Sequence, residues 1–319
     1  MPADFLPTAS LDMLRRRAEL LASVRRFFDD RGFLEVETPL LSHDTVVDRH
    51  LDPIPVTLFN DARQPQAGKQ LWLQTSPEFA MKRLLAAGAT AIYQIAKAFR
   101  GGPEFGPRHN PEFTIVEWYR VGDDYDAGMK LLSELAEALL GSGPAERLTY
   151  RDAFGRYAKI NPFGVDNLYT ESAAGLPRNA DRDLQLDYLL TSLVEPQLGR
   201  ERPTILHDYP ASQAALARVR DGNPPLAERF ELYVHGVELA NGYHELLDPR
   251  LLRARNDQNN ALRASDGKYT LPSESRLLAA MDHGLPPCSG CALGFDRLVM
   301  VATGAKTIQE VLPFPVERA

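Results

Sequence analysis

The sequence predicts an α+β fold, an antiparallel sheet flanked by helices, and three features carry that expectation. The segments Ala91–Arg100 and Phe113–Tyr119 read as strands, the second alternating polar with apolar and rich in β-branched and aromatic residues. Three glycines and three prolines lie between them; these extend neither strand and so form a long loop. A further pair, Arg229–Val234 and Val237–Ala240, alternates about His235-Gly236, a two-residue hairpin turn candidate. Two other stretches, Ser10–Arg31 and Asp126–Gly141, repeat apolar residues at three- and four-residue steps, the period of an amphipathic helix.

Size and composition bound the function. The chain has 319 residues, long for one domain and short for two large ones. An apolar content of 44% and a charged content of 25% are those of a globular protein and exclude disorder and coiled coil. The net charge of −7 argues against a large nucleic-acid surface, which needs a basic face. Met1–Phe5 has no basic start and no apolar core, so no secretory signal is expected. No apolar run approaches the ~20 residues of a membrane helix. A cytoplasmic chain is therefore expected, with no membrane partner and no structural disulfide between its two cysteines.

Taken in order, the first helix carries Leu14, Ala18, Leu21, Val24 and Phe28 on its apolar face, with Ser10 as N-cap and Gly32 as the stop. Phe33–Leu41 follows as a short strand ended by proline. Gln70–Thr75 is the next strand, leading through Ser76 as N-cap and Pro77 at the first helical position into a helix that Gly88 stops. Glu78 then lies in the first turn, where an acid either complements the helix dipole or holds a substrate ammonium. Gly141-Ser142-Gly143-Pro144 is the best linker candidate. Residues 150–202 read as a mostly helical insertion packed on the main sheet, and Thr204–Pro210 as a strand.

The chemistry-bearing residues sit on these elements. Arg100 opens the long loop and Glu117 stands on the returning strand. A buried guanidinium suits an anionic group, to which it donates two parallel hydrogen bonds; the alternative is a solvated surface pair. On the hairpin, pairing Val234 with Val237 sets Tyr233 opposite Glu238 and Glu231 diagonally beside Glu238. Two adjacent carboxylates are stable with a cation between them or with one proton retained. Oxygen-only ligands suit magnesium bridging to phosphates, and the alternative is two solvated acids. Asn241-Gly242 is expected to break this strand. Cys288–Leu298 reads as a strand running into a helix, with Gly290 and Gly294 allowing close approach of a ligand. Cys288 and Cys291 form a C-x-x-C, a redox pair or half of a zinc site, but a structural zinc needs four ligands and no other cysteine exists.

Arg100, the run His109-Asn110-Pro111-Glu112-Phe113, Glu117-Trp118-Tyr119 and the distant Gly290–Leu298 together resemble motifs 2 and 3 of the class II aminoacyl-tRNA synthetases, in their lysyl branch. Residues 10–41 resemble motif 1, the dimer element of that class. The resemblance covers nearly the whole chain and implies one catalytic domain, with motif 1 at about 10–41, motif 2 at about 91–120 and motif 3 at about 288–304. Only about ten residues precede the first helix, so no anticodon-binding domain is expected. The stretch PASQAALA, Pro210 to Ala217, resembles a narrower tRNA-independent group, the ligases that modify elongation factor P. Ala292, where the tRNA-charging lysyl enzymes have glycine, resembles that group too; its methyl group fits (R)-β-lysine over α-lysine.

The resemblance implies activation of lysine or (R)-β-lysine by ATP with Mg2+, then transfer to a lysine of elongation factor P, by a homodimer formed through residues 10–41. tRNA is not expected as a substrate. Arg100 and Arg297 would be catalytic, on the α- and γ-phosphates. Gly101, Gly102, His109, Asn110, Phe113, Glu238, Leu239 and Gly294 would complete the ATP site, with Phe113 stacked on adenine. Glu231 and Glu238 would hold the metal. Ser76, Pro77, Glu78, Glu117, Tyr119, Asn241, Tyr243, Glu245 and Ala292 would hold the amino acid. The alternatives are a truncated lysyl-type tRNA ligase and a catalytically silent regulatory paralogue. One departure stands out. The family's loop begins Arg-Asn-Glu-Glu, but here it is Arg100-Gly101-Gly102-Pro103-Glu104, one residue longer and lacking the acid two places after the arginine. Glu104 is the candidate substitute.

Overall fold

The computed structural model describes residues 5–102, 105–164 and 180–319. They fall into two compact units, Met1–Gly122 with Leu247–Pro287 and Leu293–Ala319, and Asp123–Leu246 with Cys288–Ala292.

In the first unit, helix α1 (Leu11–Asp29) starts where its cap predicts, the Ser10 hydroxyl accepting from the Met13 N–H at 3.1 Å, and Gly32 adopts a positive φ of 73° just beyond its end. Its buried face is Leu20, Val24, Phe27 and Phe28, not the full expected stripe; Leu11 and Ala18 are exposed. Its C-terminal half packs on aromatic rings, Phe28 stacking on Tyr93 (4.6 Å between centroids) and meeting Trp118 at 5.3 Å. The strand expected over 33–41 is instead two pieces, β1 (Leu34–Glu35) and β2 (Leu41–Ser42). The chain changes sheet between them, and Pro39, which has no N–H to give a ladder, lies in the crossing.

Next come β3 (Pro55–Phe59), β4 (Gly68–Leu73), α2 (Glu78–Ala86), β5 (Ala91–Phe99) and β6 (Glu112–Val121). The cap of α2 is Pro77 and not Ser76; the Ser76 hydroxyl accepts from the Glu78 N–H at 3.1 Å one step earlier. Strands run in the order β1-β5-β6 and, separately, β2-β4-β3. β5 and β6 are antiparallel, with Gln94 opposite Glu117 and Ala98 opposite Phe113. β1 runs parallel to β5, so this sheet is mixed at its edge. Thr114 to Tyr119 are all buried, so the polar–apolar alternation of β6 sorts side chains between two dry faces rather than between core and water.

The second unit opens with α3 (Tyr125–Leu140), capped by Asp124 on the Ala127 N–H and closed by Gly141 at φ 64°. Gly141–Pro144 joins α3 to β7 (Glu146–Thr149) inside this unit, so it is not a boundary between units. The expected insertion yields α4 (Tyr150–Ala153) and α5 (Arg182–Leu189), while its residues 165–179 lie outside those described. Tyr150, Phe154, Leu186, Leu189 and Val194 form a core with Leu206, Tyr209 and Tyr233, as packing on the sheet requires. The last three belong to β8 (Thr204–Pro210) and, after β9 (Val219–Arg220), to β10 (Leu226–Val234).

The turn into β11 (Val237–His244) has positive φ at both His235 (54°) and Gly236 (73°), the type I′ geometry that matches strand twist. Val234 pairs with Val237 and Tyr233 with Glu238, as expected. The strand does not break at Asn241-Gly242. Gly242 faces Phe230, and a Cβ there would collide with its ring, so glycine is present to admit the ring and the ladder runs on to His244. The irregularity falls earlier: Leu232 pairs with Ala240, leaving Leu239 as an extra residue, and Glu231 lies opposite Asn241.

Helices α6 (Pro249–Ser265) and α7 (Arg276–His283) return to the first unit, and β12 (Cys288–Gly294) runs directly into α8 (Phe295–Thr303), as the sequence predicts. The second unit's strand order is β12-β11-β10-β8-β7, with β9 on β10. β8, β10 and β11 are antiparallel neighbours, and β7 is parallel to β8. Cys288 and Cys291 are buried thiols of β12, not joined in a disulfide. Among the described residues no helix is long and apolar enough to cross a membrane.

Candidate active site

The first unit brings two groups of expected residues onto β6 and its neighbours. Phe113, Glu117 and Tyr119 recur at even steps along β6 and so share one face. Glu117 is 1% exposed; its two oxygens accept from Ser76 Oγ and Tyr119 Oη, both at 2.7 Å. Burial, and next the Glu78 carboxylate, push Glu117 up to about 7, against the lowering effect of the Ser76 and Tyr119 hydrogen bonds and Lys82. Glu78, at the first position of α2, is ion-paired with Lys82 one turn on. Lys82 is buried and its ammonium lies 5.7 Å from the centre of the Tyr119 ring. The sequence reading missed it. The available signal was a lysine four residues after an acid on one helix.

At the loop end, the Arg100 guanidinium stands over the Phe113 ring at 4.9 Å, and the Arg100 N–H donates to the Pro111 carbonyl at 2.9 Å. Arg297, on the first turn of α8, donates to His109 Nε2 at 2.7 Å, so two of the expected ATP residues come together, with Phe113 and Arg100 near His109 in the chain. Asn110 is engaged on two sides within the protein. Its amide donates to the Glu112 carbonyl (2.6 Å) and its Oδ1 accepts from the Val316 N–H (3.0 Å), so the side chain ties the loop to the C-terminal segment. Gly101 and Gly102 follow Arg100 in the described chain, whereas Pro103 and Glu104 lie outside the described residues. Asp296, beside Arg297, is buried against Arg17 of α1 at 2.6 Å and accepts from the Thr114 N–H at 2.8 Å.

In the second unit, one face of the hairpin carries Arg229, Glu231 and Tyr233 opposite Tyr243, Asn241 and Glu238. Glu231 is not a solvated acid. Tyr233 Oη donates to it at 2.6 Å, Tyr209 Oη donates to the same oxygen, and Arg229 holds the other. Burial pushes the Tyr209 and Tyr233 phenols well up, which keeps them protonated as donors. A carboxylate has about four lone-pair positions, so three donors leave Glu231 about one for a cation. Glu238 is half-buried on the same face. Asn241 donates to Tyr243 Oη at 3.1 Å, while its buried Oδ1 has no hydrogen-bond partner among the described residues. Glu245 is buried, with its N–H on the Cys288 carbonyl. Leu239 is buried and Ala292 half-buried. Hard oxygen donors and an orphaned acceptor fit a divalent cation and a polar ligand on this face.

An acid pocket, two arginines flanking a loop, and a strand-to-helix junction at the second arginine define an enzyme of the class II synthetase type. The chain belongs to that family: residues 4–318 match the family described as tRNA synthetases class II (D, K and N). Within it, the chain is 44% identical, over 324 aligned residues, to the elongation factor P–(R)-beta-lysine ligase of Salmonella paratyphi B, and equally so to that of Salmonella schwarzengrund. Each match covers 99% of this chain and 99% of the relative.

Proposed function

We propose that this chain activates (R)-β-lysine with ATP and ligates it to a lysine side chain of elongation factor P. The observation that carries this is the arrangement on β6. A buried carboxylate pocket for an ammonium and the aromatic ring for a nucleotide share one strand face, in a chain similar along its whole length to ligases of that name.

A substrate carboxylate oxygen attacks the α-phosphorus of ATP and pyrophosphate leaves. The lysine ε-amine of the partner then attacks the acyl carbon of the adenylate; the C–N bond forms, AMP departs and the amine gives up a proton. Arg100 offsets charge on the α-phosphate and Arg297 on the γ-phosphate. Phe113 receives the adenine. Glu78, Glu117 and Tyr119 hold the amino acid in the first unit, and Asn241 and Glu245 are the second unit's candidate contacts to substrate. A divalent cation, of which magnesium is the natural choice, would bind through Glu238 and the remaining position on Glu231, and would supply charge neutralisation to the phosphates. The uncovered Leu11 and Leu34 beside α1 suit a second copy of the chain, giving a homodimer through residues 10–41.

The test is the intact mass of elongation factor P after incubation with this chain, ATP, magnesium and either (R)-β-lysine or α-lysine. A β-lysyl adduct in preference to an α-lysyl one is expected. No adduct with either amino acid, using a partner from the same organism, defeats the proposal and leaves tRNA charging or a silent paralogue.

The pocket adds a pH dependence. An ammonium favours the ionised form of Glu117, which burial and Glu78 hold up to about 7. Amino-acid affinity should therefore rise from pH 6 towards 8, by up to about tenfold per unit below the carboxyl's value and little above it. Binding near pH 7 should release protons. Calorimetry in two buffers of different ionisation enthalpy reads both, and a flat affinity with no proton release contradicts the assignment of Glu117. The stability sign follows from the same shift: a raised carboxyl stabilises the empty fold below the ordinary carboxylate range and loses that contribution as pH rises through about 7.

A further inference from the structure

Two residues after Arg100 stands Gly102, where the resemblance to motif 2 implies an acid. A Cβ built on Gly102 (φ 76°) would stand 3.1 Å from Oδ2 of Asp52, a residue of the segment before β3. Asp52 therefore brings a carboxylate to the point where a side chain at 102 would begin. The Gly101 N–H donates to the Asp52 carbonyl at 2.6 Å, and the Arg100 N–H to the Pro111 carbonyl, so the turn is pinned by its backbone on both sides.

Asp52 is itself held from the end of α6. Its Oδ1 lies 2.9 Å from Nη1 of Arg263, and its Oδ2 accepts from Lys268 Nζ at 3.0 Å. Arg263 is 0% exposed and its guanidinium also donates to the carbonyls of Asp48 (2.9 Å), Leu51 (3.0 Å) and Tyr269 (3.0 Å). Lys268 donates to the Arg49 carbonyl as well, at 3.1 Å. The segment 48–52 is thus clamped by two cations at three carbonyls and one carboxylate. A buried arginine needs such a partner, because an uncompensated interior charge is strongly destabilising.

We propose that Asp52, clasped by Arg263 and Lys268, is a positioning residue for Arg100, holding from another part of the chain the Gly101-Gly102 turn that follows the arginine. The proposal rests on the reading that Arg100 grips the ATP phosphates. A displaced arginine weakens nucleotide binding first, while the amino-acid pocket around Glu117 is untouched.

The experiment is ATP–pyrophosphate exchange with (R)-β-lysine for Asp52→Ala, Lys268→Met and Arg100→Ala, with thermal unfolding of each. Asp52→Ala should raise the KM for ATP about tenfold, since a displacement of about 1 Å costs on the order of 10²-fold at most. The KM for the amino acid should stay within about twofold, an ordinary scatter next to that tenfold effect. Lys268→Met, which spares the buried arginine, should move the ATP value the same way by less, and it keeps the test available if Asp52→Ala does not fold. Impaired exchange in Arg100→Ala alongside an unchanged ATP KM in the other two overturns the clasp, as does a parallel rise of both KM values with lost stability. Unaltered exchange in Arg100→Ala overturns the reading of Arg100 itself, and the clasp with it.

Discussion

Arg297→Ala is expected to lower adenylate formation by about 10²–10³, the usual cost of a preorganised donor aimed at developing charge. Arg297 sits on the first turn of α8 and its head group is spent on the ring of His109 and, weakly, on the Arg108 carbonyl at 3.4 Å, contacts that a phosphate can replace. Its removal takes little from the core. The unfolding midpoint should hardly move while ATP–pyrophosphate exchange, measured at saturating ATP, falls. Exchange within a factor of three of the unaltered chain would refute a transition-state role for this arginine.

The neighbouring residue should behave in the opposite way. Asp296→Ala removes the partner of Arg17 and the acceptor for the Thr114 N–H together, both within the interior. Breaking a buried pair from one side costs about 3–5 kcal/mol, because the remaining charge has no compensation. Urea unfolding should show this loss, with Asp296→Asn losing less since its amide oxygen still serves Thr114. A loss below about 1 kcal/mol, the range of solvated pairs, would mean that water reaches Arg17 freely.

What was legible in the sequence was local. Ser10 caps α1 because its hydroxyl meets an N–H three residues on, and His235-Gly236 turns the hairpin because both residues accept positive φ. The turn fixes the register of the hairpin as far as Tyr233 and Glu238. The bulge at Leu239 was hidden, since it depends on how β11 accommodates Phe230 at Gly242. The donors on Glu231 were hidden for a related reason: Tyr209 lies 22 residues away and meets it only through the pairing of β8 with β10. Asn110 was legible as a motif residue but not as a brace, because Val316 is 206 residues away. The family motifs marked which side chains matter; which of them are committed to other protein groups needed the packing.

Lys82 changes the charge inventory of the vacant pocket. Glu78 and Glu117 alone would place two negative charges on neighbouring buried side chains, a state that mutual repulsion and desolvation both oppose. The lysine brings that total to a single negative charge, and the proton that Glu117 takes up near pH 7 brings it to zero. The cluster is thereby close to electrically neutral near pH 7, and on the proposed reading one incoming ammonium would displace one proton. On the proposed reading the pocket would act as an ion exchanger with a capacity of one.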